Sequence, residues 1–172
     1  MHRILTTSTA ALMLISMSGN VWAATAESTG CASREDMFAV RVAAVQQKLM
    51  VAAFSCHATQ LYNRFVTTYK TDLQASDLAL QNFFRRLYGR TGIADYHSFK
   101  TRLANMSSIQ SIHDTQGYCA NAQATFNAAL TNPKKSLPVF LASQTTTADN
   151  AFPRCEYLTA STNRPVHRPA RQ

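Results

Sequence analysis

Four cysteines and one long helical pattern constrain this chain more than any other feature. Ser33 followed by Asp36 reads as a capping box, the start signal for a helix that the pattern carries from about residue 34 to 57. Phe38, Val42, Val45, Leu49, Ala52 and Cys56 recur at spacings of three and four and form one apolar seam. Val40, Ala44, Met50, Val51 and Phe54 occupy the other faces, so the helix should be central, while Arg41, Gln46, Gln47 and Lys48 argue against a membrane span. At 1.5 Å per residue the ends of such a helix lie roughly 35 Å apart. Disulfide-bonded residues need Cα atoms within about 7 Å, so Cys31 cannot pair with Cys56. Two connectivities remain: nested (Cys31–Cys155 with Cys56–Cys119) and crossed (Cys31–Cys119 with Cys56–Cys155). The nested one is preferred, because Cys56 and Cys119 both sit on seams facing the core while Cys31 and Cys155 flank the helical body. The crossed one stays open.

The remaining pattern is also helical. Leu61, Phe65 and Tyr69 predict a helix of about two turns. A third is expected to begin at Ser76 or Asp77, to turn Leu80, Phe83, Phe84, Leu87 and Tyr88 inward and to end at Gly89 or Gly92. Tyr96, Phe99, Leu103 and Met106 carry a fourth, followed by an expected serine-rich break at Ser107, Ser108 and Ser111. Asp114 is placed to cap a fifth with the seam Cys119, Ala122, Phe126 and Leu130, stopped by Asn132-Pro133. Ser136 opens a last short helix through Leu137–Leu141. No strand run and no internal repeat occurs. These segments predict an all-α, irregular bundle of five to six helices with two disulfides, each bridge adding about 2–4 kcal/mol.

The N-terminus reads as an export signal: His2 and Arg3, an apolar stretch from Ile4 to Met17, then Val21-Trp22-Ala23 with small residues at −3 and −1 of a cut after Ala23. The apolar run is shorter than the ~20 residues a bilayer requires. Lipidation at Cys31 is disfavoured by its distance from that run. The expected organisation is a signal peptide at 1–23, a single helical domain at 24–157 and a basic disordered tail at 158–172, with no transmembrane segment after cleavage. Removing 23 of the 172 residues removes one of 17 basic side chains and none of the 9 acids, leaving about +7. An even cysteine count after a signal peptide predicts a periplasmic or secreted protein.

The candidate chemistry is sparse. Cys56 and His57 are adjacent, but neighbours on a helix diverge by about 100°, so they make a poor thiol–base pair. His57, His97, His113 and His167 show no ligand spacing, and no metal or other cofactor is expected. No C-x-x-C, G-x-S-x-G or glycine-rich phosphate loop is present. Asp36, Asp77, Asp95 and Asp114 are read as caps or first-turn residues. Glu35 is the carboxylate first in line for a cell-wall glycosidase acid. The most prominent surface feature is basic: Arg85, Arg86 and Arg90, with Lys100 and Arg102, form a candidate anion site.

The stretches REDMFAVRVAAVQQKLMVAAFSCH (34–57), LYNRFV (61–66), YHSFKTRLAN (96–105) and GYC (117–119) resemble a family of short exported helical proteins of Gram-negative bacteria with no assigned activity. The resemblance spans roughly residues 31–131 and implies a periplasmic setting and nothing about chemistry. The functional expectation is a non-enzymatic protein acting through a protein or anionic envelope partner, as an adaptor, inhibitor or immunity-type factor. The alternatives are a hydrolase using Glu35 and a binder of anionic lipid or polysaccharide through Arg85, Arg86 and Arg90. Nucleic acid is not expected as a partner.

Overall fold

The computed structural model describes residues 30–131 and 136–156; the expected signal peptide, the Asn132-Pro133 stop and the basic tail lie outside the described residues. Helix α1 (Arg34–Ser55) starts as the sequence predicts. The Ser33 hydroxyl accepts the Asp36 N–H at 3.1 Å while the Asp36 carboxylate accepts the Ser33 N–H at 2.8 Å, satisfying two of the donors orphaned at a helix start. By length and composition α1 could cross a bilayer, yet 61% of its apolar window is buried in the fold, where it is the central helix. It serves two cores. Val42, Val45, Leu49 and Ala52 pack with Phe65, Tyr69, Phe126 and Phe140, whereas Met37, Val40, Ala43 and Ala44 pack with Leu80, Phe83, Phe84, Phe99 and Leu103. A helix apolar nearly all round therefore has a partner on either side.

Helices α2 (Thr59–Thr68) and α3 (Lys70–Tyr88) are separated only at Tyr69. The third helix thus begins at Lys70 and not at Ser76 or Asp77. Ser76 is buried within it, and the Asp77 carboxylate, instead of capping, receives the Tyr96 hydroxyl at 2.6 Å and the Lys100 ammonium at 2.8 Å. A 3-10 turn at Gly89–Thr91 leads into α4 (Gly92–His113), which runs straight through the expected serine break. Ser107 and Ser111 are buried there; Ser111 donates to the Ser108 carbonyl at 2.8 Å and its oxygen lies 3.3 Å from that of Ser55. Their small side chains let α4 lie against α1, and a local bond satisfies the Ser111 hydroxyl.

Asp114 caps α5 (Thr115–Leu130) through the Gly117 N–H, as anticipated, and a short α6 (Leu137–Ala142) closes the first core with Phe140 and Leu141. The contacts set the directions. Asp36 with Arg86 makes α3 antiparallel to α1, Ser55 with Ser111 makes α4 parallel to it, and Lys48 with Thr125 and Cys56 with Cys119 make α5 antiparallel. Ala32 and Arg154 join the two ends of the described chain in an isolated parallel bridge, with Ala32 N–H to the Pro153 carbonyl at 2.8 Å and Cys155 N–H to the Ala32 carbonyl at 3.1 Å. Among the described residues every other regular element is a helix, so the chain is an all-α bundle with two disulfides.

Candidate functional site

The cysteines pair in the nested order, Cys31 with Cys155 and Cys56 with Cys119, at Cα separations of 5.0 and 5.5 Å. Both bridges indicate an oxidising compartment. With its sulfur bonded, Cys56 is no nucleophile, and His57 is exposed. His57 takes a left-handed conformation (φ 54°) just past the end of α1, and the Ala58 N–H closes back on the Ala53 carbonyl at 3.1 Å. That is the six-to-one bond of a Schellman-type stop, at a position where glycine is the usual residue. The Cys56-His57 pair is a staple beside a helix stop.

The expected basic site divides. Arg86 is bound to the Asp36 carboxylate and Lys100 to Asp77, so two of its five cations are neutralised internally. Burial alone would raise the Asp77 carboxyl, but hydrogen bonds from Lys100, Tyr96 and Gln81 outweigh it and hold the group below its ordinary range. Arg85, Arg90 and Arg102 are exposed, Arg85 reaching Asn82 and Arg102 lying over the Phe99 ring. Glu35 is exposed on the first turn of α1. His97 stacks edge-on against Tyr96, and no metal-binding group of three His, Cys, Asp or Glu side chains forms among the described residues.

Two concave sites stand out. A groove of about 630 Å³ runs along Val66, Lys70, Leu73, Asp77, Leu78 and Lys100 and is the more open of the two. A cleft of about 400 Å³ lies between α1, α4, α5 and the loop after α6, lined by Lys48, Ser107, Gln110, His113, Tyr118, Asn121 and the segment 144–147. Glu35 lines neither. The smaller cleft is the better candidate, because the groove's Lys100 is already matched by Asp77 whereas the cleft's half-buried Lys48 ammonium is bonded to no carboxylate among the described residues. Lys48 donates to the Asn121 side-chain oxygen and lies 3.5 Å from the Thr125 hydroxyl. Desolvation pulls its pKa below the ordinary lysine value.

Arg41 sets the far wall of this cleft. Its guanidinium donates to the Leu141 and Gln144 carbonyls at 2.9 and 2.5 Å and lies 3.0 Å from Asp149. Asp149 in turn accepts the Thr146 N–H and hydroxyl at 3.0 and 2.9 Å. The sequence marked neither the cleft nor Lys48. The available signal was that Lys48 is the one charged residue of α1 after Arg41.

The second feature is apolar. At the end where Ser55 meets Ser111, the adjoining residues Phe54 and Ile112 are 74% and 77% exposed, and Ile109, one turn back on α4, is 55% exposed. Ile109 and Ile112 share a helix face. The Cys56–Cys119 bridge lies at the same end and ties α1 to α5 behind it.

The fold and these two surfaces define a disulfide-bonded helical protein with a polar cleft and an apolar end. Comparison with known protein families, with characterised proteins and with solved structures finds no match for the chain.

Proposed function

We propose that this is a non-enzymatic protein, exported to the periplasm or secreted by its N-terminal 23 residues, that works by holding a partner protein on its apolar end. The observation that carries this reading is the exposure of Phe54, Ile109 and Ile112 on two adjacent helices next to a covalent bridge. Large apolar side chains gathered on a small domain cost solubility unless something covers them, and a rigid, cross-linked backbone limits the ordering cost of docking. Adaptor, inhibitor and immunity-type roles all take this form, in which binding is itself the function. The net charge, +8 for the full chain and about +7 without the first 23 residues, favours an acidic partner, whose approach it would accelerate at low salt.

An anionic envelope surface is a weaker reading, because Arg86 and Lys100 already serve internal carboxylates and Arg85, Arg90 and Arg102 remain. Affinity purification of the tagged protein from the envelope fraction of its host decides between them. The wild type should recover one protein at constant ratio, the Phe54→Asp/Ile112→Asp variant should lose it, and Arg85→Glu/Arg90→Glu should keep it. A partner indifferent to Phe54 and Ile112 overturns the proposal, as does recovery of only a second copy of this chain.

A further inference from the structure

We propose that the cleft between α1, α4, α5 and the 144–147 loop binds a small hydroxylated carboxylate, such as a sugar acid, with the Lys48 ammonium as the partner of the anion. Of the other partly buried cations, Arg41 has Asp149, Arg86 has Asp36 and Lys100 has Asp77, while Arg154 donates to the Asp149 carbonyl at 3.2 Å. Lys48 has only neutral acceptors among the described residues, Asn121 and Thr125, for an ammonium that carries three donors. A half-buried charge met only by an amide and a hydroxyl is under-compensated, and a carboxylate in the cleft would complete it.

Three further features narrow the ligand. The lysine stands without an arginine in the lining, which suits a monoanion better than a phosphate dianion, whose oxygens are best met by bidentate or multiple cations. Gln110, Gln144, Asn121 and the threonine loop supply amide and hydroxyl groups suited to hydroxyls on the ligand. The volume, about 400 Å³, admits a monosaccharide-sized molecule. The one acid of the lining, Asp114, is engaged as the cap of α5 through the Gly117 N–H at 2.9 Å. Arg41 holds the loop wall in place before any ligand arrives, as a positioning residue. This site is separate from the apolar end: Lys48 and Phe54 lie about 120° apart around the axis of α1, so either proposal stands or falls alone.

The test is titration of the folded, oxidised protein with D-galacturonate, followed by backbone amide NMR shifts, with D-galactose and sodium sulfate as comparators. Galacturonate should give saturable shifts at Lys48, Gln110, Asn121 and 145–147 by about 20 mM, with galactose and sulfate at least ~10-fold weaker. Lys48→Met should weaken galacturonate binding at least ~10-fold without lowering the melting temperature, since it removes an under-compensated charge and keeps the stem. Gln110→Glu, an exposed wall substitution that leaves the core untouched, should also weaken it. No saturable shift, shifts elsewhere, equal binding of galactose or sulfate, or unchanged affinity in both variants would overturn the proposal.

Discussion

Replacing Asp36 with alanine should cost this protein about 3–4 kcal/mol, and the structure shows where that comes from. Asp36 is 6% exposed and does two jobs: its carboxylate closes the capping box on the Ser33 N–H and neutralises Arg86, whose side chain is 26% exposed. Losing the box costs about 1 kcal/mol. Leaving one charge of a fully buried pair unmatched costs about 3–5 kcal/mol, and the residual exposure of Arg86 reduces that to about 2–3 kcal/mol. Arg86→Met alone should cost about 2–3 kcal/mol for the mirror-image reason, since it strands the aspartate. The double variant should recover most of both penalties and remain about 1 kcal/mol below wild type, because only the cap is then missing. Urea denaturation of the four proteins, followed by helical circular dichroism, gives the coupling energy directly. A coupling below about 0.5 kcal/mol would refute the reasoning and return Arg86 to the pool of free surface cations.

Three other outcomes follow from the same contacts. Cys56→Ala/Cys119→Ala opens a bridge spanning 63 positions, which by chain entropy removes up to about 4 kcal/mol; a thermal melt unaffected by the substitution or by reductant would contradict the staple. Gly92→Ala places a methyl 2.6 Å from the Phe84 carbonyl oxygen and 2.7 Å from the Arg85 Cα, so α4 must shift off the end of α3, at about 1–3 kcal/mol in chemical denaturation. Asp77 and Asp149 are held below their ordinary value of 3.8: burial would raise both, but Lys100, Tyr96 and Gln81 outweigh it at Asp77, and Thr146 with the Arg41 and Arg154 charges does so at Asp149. The unfolded chain therefore binds protons first, and this stability is full above about pH 5 and lost as pH falls through the folded values, a slope that Asp77→Asn and Asp149→Asn should flatten in melts between about pH 2 and 5.

The parts of the fold governed by near neighbours were legible in the sequence. Ser33 and Asp36 are three residues apart and could only be a helix start, the Phe38–Cys56 seam follows from helical periodicity, and the length of α1 alone excludes a Cys31–Cys56 bond. The errors fell where a distant partner changes what a residue does. Asp77 has the composition of a cap, but Tyr96 and Lys100 claim its carboxylate from across the bundle, and α3 starts about two turns earlier. Ser107 and Ser111 look like a break, yet packing against α1 favours small side chains inside α4. The internal pairing of Arg86 within the basic row was hidden for the same reason, because Asp36 lies 50 positions away. Lys48 stood out only as a charge in an apolar stretch, because its cleft is assembled from α1, α4, α5 and a loop about 100 residues away. Phe54 belongs to an apolar helix, and only the arrangement of its neighbours leaves it in the open.

The claim that the apolar end is the working surface is tested most directly by a photo-crosslinking amino acid placed at position 54, with position 102 as a control on an exposed basic face of the bundle, in the living host. Position 54 should yield one discrete adduct with a different protein, identifiable by mass spectrometry and absent from position 102. The same adduct at both positions, or none at 54, would contradict it.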